Sequence, residues 1–318
     1  MANEACLICK STSGTVRVVE EFAQRGCGHV YCRKCGISYD SNIDEISTKG
    51  MSEGDVEPIA SEEKYRELFV ETSEISTDDV IYPKFKWDDE SKLRKGVANH
   101  VVNSIKSNTS TQSNMKILDV GCGNGFTSLE LADEFPDANI SSLDPSPQVL
   151  SINGYEGRVQ ARQGILTSTS YADNTFDVVV IVGNLMLHDD PSLTLINAHK
   201  FLKPGGLLII DYKNIKSSVR QFCILLARLN LSKYLPKNLF DRNFVNMRYG
   251  FHDKYFIDLL SSQNMSLVKR LSKPPRLLEF SNKSNYTSGW KGIIWRMFDA
   301  IDKVNKQQAW IQLVFKKS

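Results

Sequence analysis

The chain has 318 residues, 41% of them apolar, and a formal net charge of +2 at neutral pH. That length can bury one large core plus a small appendage. No apolar run approaches the roughly 18 residues that cross a bilayer, and the start "MANEACLICK" has no basic stretch leading into an apolar one, so a soluble, cytoplasmic protein without a transmembrane segment is expected.

The small net charge hides a polarity along the chain. From Gly36 to Glu90 there are sixteen acidic residues against five basic, and from Lys200 onward twenty-two basic against seven acidic. Two solvated faces of opposite sign would account for this; a basic half that helps hold an anionic substrate would account for it as well.

Five of the seven cysteines lie in the first 35 residues. Disulfides are rare in a reducing compartment, so such a cluster points to a metal. Cys6 and Cys9 are two residues apart, as are Cys32 and Cys35, and two such pairs can set four thiolates tetrahedrally around zinc in a closed, structural site. Cys27 and His29 in "CGHVYCRKCG" are the alternative ligands. A RING-type double site fails because no later Cys-x-x-Cys pair follows, the next cysteine being Cys122. Residues 1–38 therefore read as a zinc-ribbon-like module with a β-prone piece, "GTVRVVEEF", between its cysteine groups. Residues 39–90 read as an acidic linker with one short helix around "SEEKYRELFVE".

From about residue 91, apolar strands alternate with amphipathic helices, the pattern of a parallel sheet covered on both faces. "SKLRKGVANHVVNSI" is a helix, "KILDV" a buried strand, "FTSLELADEF" a helix and "ANISSLD" a second strand. "SPQVLSIN" is expected as a helix, "RVQARQG" as a strand, and "FDVVVIVG", apolar but for Asp177, as a central parallel strand. A helix over "SLTLINAHKFL" is expected to stop at Pro204, Gly205 and Gly206, with "LLIIDY" as the fifth strand. "RQFCILLARLNL" and "KYFIDLLSSQ" are helical, and "MSLVKRL" and "AWIQLVFK" are two closing strands separated by an aromatic and basic segment, residues 273–305.

The stretch "ILDVGCGNGF" runs a strand into Gly121, Gly123 and Gly125 and then a helix. Such a turn brings backbone close to a ligand because glycine has no side chain to obstruct it. It lacks the Gly-Lys-Ser/Thr of a phosphate loop and departs from the Gly-x-Gly-x-x-Gly dinucleotide spacing. Asp144, ending the next strand in "SLDPSP", is placed to accept both hydroxyls of a ribose.

Together, "ILDVGCGNGF", "SLDPSP", "NTFDVVVIVGNLMLH" and "FLKPGGLLIIDY" resemble, in order and spacing, the class I S-adenosylmethionine-dependent methyltransferases. The resemblance covers about residues 95–215. It implies an α/β fold: a Rossmann-like class I methyltransferase sheet, mostly parallel with an antiparallel last strand, over residues 91–318, with a substrate lid at about 215–305 and the small N-terminal zinc-binding module in front. It further implies that Asp119 and the backbone of Gly121, Cys122 and Gly123 face the methionine part of the cofactor. Asp144, with Pro145 beside it, would bind the ribose, and Gly183 and Asn184 would lie beside the sulfonium and the acceptor. Family members often carry Gly-Asp where this chain has Gly164-Ile165, so adenine contacts fall to Ile165 and Leu166 and adenine selection is expected to be weaker.

For chemistry on a hydroxyl, a histidine near neutral pKa is the natural base. His188 in "NLMLHDD" is the leading candidate and His252 and Tyr249 lesser ones, against the alternative that His188 begins a helix bonded to Asp189 or Asp190. Tyr249, Phe251, Tyr286, Trp290 and Trp295 either wall the acceptor site or pack the lid's own core. The arrangement looks like bacterial sugar and natural-product methyltransferases, which makes O-methylation of a sugar or secondary metabolite, carried on a nucleotide or phosphate, the leading expectation. An RNA methyltransferase docking through the zinc module is the alternative, disfavoured because the acidic stretch would repel a phosphate backbone. A non-catalytic, zinc-containing interaction protein is the remaining one.

Overall fold

The computed structural model describes residues 5–11, 16–22, 27–32, 34–40, 90–109, 113–123, 125–145, 147–229, 231, 249–273 and 289–318. The chain forms two compact units. One comprises Met1–Thr48, Gly183–Leu195 and Ile210–Phe315; the other comprises Lys49–Val182, Ile196–Ile209 and Lys316–Ser318.

Three strands come first: β1 (Val16–Phe22), β2 (Cys27–Cys32) and β3 (Ile37–Asp40). Helix α1 (Glu90–Asn108) leads to β4 (Lys116–Val120), α2 (Phe126–Glu134), β5 (Asn139–Asp144), β6 (Val159–Gln163) and β7 (Phe176–Ile181). Then follow α3 (Pro191–Phe201), β8 (Leu202–Lys213), α4 (Ser218–Arg228), β9 (Tyr249–Phe251) and α5 (Asp253–Ser261). The chain closes with β10 (Met265–Lys273), α6 (Gly289–Val304) and β11 (Trp310–Lys317).

A seven-stranded sheet runs in the order β6-β5-β4-β7-β8-β11-β10. Around its middle, β4 pairs in parallel with both β5 and β7, and β5 pairs in parallel with β6. Ile117 and Leu118 of β4 and Val178 to Ile181 of β7 are fully buried, as expected of parallel strands covered on both faces. This is the mostly parallel, Rossmann-like α/β sheet anticipated from the alternating strands and helices. A second sheet, β1-β2-β3-β9, is antiparallel throughout. Among the described residues no helix is long and apolar enough to cross a membrane.

Two segments differ from the sequence expectation. "SPQVLSIN" forms a 3₁₀ turn, Pro147–Ile152, rather than an α-helix; Gly154 and Gly157 follow at positive φ, so the segment turns back before it can propagate. Helix α3 ends at Phe201, within a residue of expectation and ahead of Pro204; the carbonyls of its last two residues, Lys200 and Phe201, accept from the amides of Asn174 and Thr175 at 3.1 and 2.8 Å. The segment 273–305, read as aromatic and basic, contains the sixteen-residue helix α6. The short helix expected around "SEEKYRELFVE" lies outside the described residues.

Ile117 fills the centre of the sheet with no exposure. Ile117→Ala is expected to cost about 2–5 kcal/mol, seen as a lower denaturation midpoint with the denaturant slope unchanged.

Candidate active site and cysteine cluster

Strand β4 delivers Asp119, after which the chain turns through Gly121, Gly123 and Gly125 at φ of 68°, 56° and 78°. The turn is tied down: the Gly121 amide donates to Leu143 O at 2.7 Å and the Gly125 amide to Cys122 O at 2.9 Å. A Cβ on Gly125 would stand 2.4 Å from Ile152 Cδ1, so packing as well as dihedral requires glycine there. At Gly123 a Cβ would meet nothing within 4 Å. That side of the turn is open to an approaching group.

Two buried acids flank the turn. The Gly123 amide donates to Asp144 Oδ2 at 2.8 Å, which locks the turn to the end of β5. Asp119 Oδ2 accepts from Ser128 Oγ at 2.6 Å, and Ser142 Oγ donates to Ser128 Oγ at 2.8 Å. Burial pushes the Asp119 carboxyl up to about 7; the Ser128 hydrogen bond opposes this and the Asp144 charge adds to it. Burial likewise raises the Cys122 thiol, leaving that side chain an uncharged wall. Gln163 Nε2 donates to Pro145 O at 3.0 Å. The carbonyl of Ile165 accepts from Ser170 Oγ at 3.3 Å, and that of buried Leu166 from Asn197 Nδ2 at 3.4 Å. An open glycine turn whose Gly123 amide is bonded to the buried Asp144 carboxylate fits a nucleoside-bearing cofactor.

The other unit gathers the remaining candidates. Gly183, at φ 80°, donates its amide to Asp211 Oδ1 at 2.6 Å. His188 is bonded on both ring nitrogens: Nδ1 lies 3.0 Å from Thr194 Oγ1 and Nε2 lies 2.9 Å from Asn184 Oδ1. Thr194 Oγ1 donates to Asp190 O at 3.0 Å. Facing the Asn184 oxygen, a neutral imidazole donates from Nε2 and leaves its Nδ1 lone pair to the Thr194 hydroxyl, whose single hydrogen is shared between that nitrogen and Asp190 O. Burial lowers the His188 pKa to about 4, opposed by the nearby Asp189 charge. Neither Asp189 nor Asp190 provides the hydrogen bond anticipated for a helix-start histidine; Asp190 Oδ1 instead accepts from the amides of Ser192 and Leu193 at 2.8 and 3.0 Å.

Buried Tyr249 donates its hydroxyl to Asp189 O at 2.8 Å. His252 precedes α5 and its Nδ1 accepts from the Lys254 amide at 3.3 Å. Burial lowers its pKa, opposed by Asp253. Phe251 is fully buried among Tyr212, Tyr255 and Phe256, which is core packing. Tyr286 lies outside the described residues, as do the side chains of Trp290 and Trp295.

Within the same unit the sulfurs of Cys6, Cys9, Cys32 and Cys35 all lie within 4.8 Å of one another. The Cys6–Cys35 and Cys9–Cys32 sulfur distances are 3.8 and 3.6 Å. A tetrahedral Zn–S₄ centre with bonds of about 2.3 Å places its sulfurs about 3.8 Å apart, so the four thiols fit zinc. Each pair sits on its own turn of the same kind: Lys10 N donates to Cys6 O at 2.8 Å and Gly36 N to Cys32 O at 2.9 Å, with Lys10 and Gly36 at φ of 55° and 77°. The side chains of Cys27 and His29 lie outside the described residues.

Sequence reading missed Ser128, Ser142, Thr194 and Asp211. The last left a signal, an acid ending the apolar run "LLIID". The three hydroxyls left none, because serine and threonine are common on helices and strands of every kind.

Residues 111–250 match a family model described as a methyltransferase domain. Phosphoethanolamine N-methyltransferase 3 of Arabidopsis thaliana is 28% identical over 202 residues, 57% of this chain and 39% of that protein. Ribosomal RNA small subunit methyltransferase C of Buchnera aphidicola is 34% identical over 118 residues, 33% of each chain. This chain thus matches about two fifths of the Arabidopsis relative's length and a third of the Buchnera one's. Among solved structures, 1,6-didemethyltoxoflavin-N1-methyltransferase of Burkholderia thailandensis superposes with a TM-score of 0.48 at 13% identity, covering 89% of this chain and 96% of that one.

Asp119 gives a pH test. Its folded pKa is raised above the ordinary 3.8 to about 7, so the native state holds a proton that the unfolded chain releases. Its contribution favours folding at low pH and is lost as pH rises from about 4 to about 7, with a slope of at most about 1.4 kcal/mol per pH unit. In denaturant titrations across that range, the stability difference between wild type and Asp119→Asn is expected to change in this direction and then level off.

Proposed function

We propose that this chain is an S-adenosylmethionine-dependent methyltransferase acting on a small molecule, and more narrowly that it O-methylates a sugar or secondary metabolite bearing a phosphate or nucleotide. The observation that carries the reading is the glycine turn fastened by its Gly123 amide to Asp144 at 2.8 Å, with a buried acid beneath it. The matched methyltransferase-domain stretch, 111–250, contains both acids. Relatives named for phosphoethanolamine and for malonyl-[acyl-carrier protein] support a small, anionic or carrier-linked acceptor. The basic excess after Lys200 suits such a charge.

In this reading Asp144 accepts the ribose hydroxyls, with Pro145 at its side. Asp119 and the backbone of Gly121, Cys122 and Gly123 face the methionine part, and Ile165 and Leu166 give the adenine an apolar bed. S-adenosylmethionine, when bound, supplies a methyl group already activated by positive sulfur. The chain's task is then alignment and exclusion of water. Gly183 and Asn184 face the acceptor, and His188 holds Asn184: a ring bonded at both nitrogens with a pKa near 4 is a better strut than a base. Tyr249 and His252 shape the same loop. The four cysteines form a closed zinc site with a structural role.

An RNA acceptor is the second reading, favoured by the ribosomal RNA methyltransferase relative. The acidic excess between Gly36 and Glu90 weighs against it.

Calorimetric titration of zinc-replete protein with S-adenosylmethionine and S-adenosylhomocysteine, then with nucleotide sugars, phosphoethanolamine and RNA, tests the proposal. Cofactor binding is expected, weakened about 10–100-fold in Asp144→Ala through loss of hydrogen bonds to a charged group. Near pH 7, proton release from Asp119 should make the heat of S-adenosylmethionine binding depend on the buffer. Heat from a small acceptor alone supports the narrower reading. Salt-sensitive RNA binding would replace it, and failure to bind either cofactor form would sink the whole proposal.

A further inference from the structure

The cysteine cluster is wired to the loop that carries Asn184. Gly36 closes the second Cys-x-x-Cys turn by donating to Cys32 O at 2.9 Å, and its own carbonyl accepts from the His252 amide at 3.0 Å. Gly36 sits at φ 77°, where glycine is favoured, and a Cβ there would be in ordinary contact, 3.4 Å, with Lys254 Cβ and the Tyr255 amide. The next residues pair as a ladder, Ile37 with Phe251, Ser38 with Gly250 and Tyr39 with Tyr249. Tyr39 also ties back to the first cysteine turn, its hydroxyl accepting from the Leu7 amide at 3.2 Å. Tyr249 continues the path by donating to Asp189 O at 2.8 Å, and Tyr255 Oη lies 2.9 Å from Ser192 Oγ. Between Asp189 and Ser192 runs the turn whose Asp190 carbonyl holds Thr194, which holds His188, which holds Asn184.

Strand β9 is three residues long. A strand that short has no independent stability. Phe251 is also held by the Ile215 amide, which donates to its carbonyl at 3.1 Å, but the Tyr249 end takes its strand pairing, among the described residues, only from β3, and β3 starts immediately after a cysteine turn of the kind that metal orders. We propose that Tyr249 is a positioning residue through which metal binding at Cys6, Cys9, Cys32 and Cys35 orders residues 183–195, so that the metal governs presentation of the acceptor and leaves cofactor binding at the glycine turn alone. The assignment of 183–195 to the acceptor rests on the methyltransferase reading; the mechanical link from cysteines to loop does not.

The test uses the full chain in four forms: wild type and Tyr249→Phe, each zinc-replete and chelator-stripped. Zinc content, amide hydrogen exchange of peptides covering 183–195 and 117–134, S-adenosylhomocysteine affinity and acceptor kinetics are measured on each. Stripping zinc and Tyr249→Phe are each expected to speed exchange in 183–195 by about tenfold, the worth of one net hydrogen bond. Exchange in 117–134 and S-adenosylhomocysteine affinity should change less than about twofold by the same measure. Stripping zinc from Tyr249→Phe should add little, since both act on one path. With an acceptor in hand, Tyr249→Phe should raise KM for the acceptor and leave KM for the cofactor unchanged. Three results would each overturn the proposal: no zinc bound at one per chain, unchanged exchange in 183–195, or equal loss of protection in 117–134. Replete protein that shows the exchange coupling but binds no S-adenosylhomocysteine would defeat the methyltransferase reading and leave the link standing.

Discussion

A carboxylate buried at the end of a central strand constrains everything built above it. Asp119 leaves β4 between two parallel neighbours, so its side chain cannot reach bulk water and must be satisfied from within the fold. Ser128 supplies the hydrogen bond from the first turns of α2, and Ser142 on β5 supports Ser128 in turn. For α2 to return over β4 within nine residues, the connection has to double back. Gly121, Gly123 and Gly125 make that possible, each at a positive φ. The glycine turn is therefore a consequence of where the acid sits as much as a surface for a ligand. A group held in that turn meets a carboxyl poised near neutrality, which any approaching positive charge would ionise.

Much of this architecture was legible in the chain. "KILDV" and "FDVVVIVG" are mostly apolar because both faces are covered; the first emerges as β4 over the expected residues, and the second as β7, ending at Ile181, two residues short of expectation. Other elements were hidden for reasons that differ case by case. The 3₁₀ turn at Pro147–Ile152 has helix-like composition, and only Gly154 and Gly157 beyond it decide its length. Helix α6 is carried by aromatic and β-branched residues with two glycines at its start, which local propensity ranks poorly. Strand β9 is "YGF". No periodicity exists in three residues, and its partner lies more than two hundred residues earlier.

That long-range pairing changes the meaning of the cysteine spacing. Two Cys-x-x-Cys pairs predict a metal site and nothing more, and the sulfur geometry agrees with that expectation. The turn residues carry the additional information. Lys10 and Gly36 occupy equivalent left-handed positions, yet only the second is glycine. At Gly36 the backbone lies against the start of α5, so the second turn is shaped by its neighbour as well as by a metal. A cysteine module that lends a strand partner to β9 acts as a part of the unit containing Asn184 and His188.

The state of His188 bears on how such a site could work. An imidazole bonded on both nitrogens and lowered by burial to about 4 is neutral at physiological pH and has no lone pair to spare for a substrate proton. Freeing a nitrogen would break a buried hydrogen bond and cost on the order of 1–3 kcal/mol before any proton moved. Proton abstraction typically contributes about 10²–10⁴-fold, whereas fixing two reactants in line contributes more. In the proposed reaction the methyl group arrives already activated, so the second term matters most. A histidine committed to holding an amide in one orientation is consistent with that ranking, and the hydroxyl of Thr194, the carbonyl of Asp190 and the ring itself form a support whose stiffness comes from having every polar atom engaged.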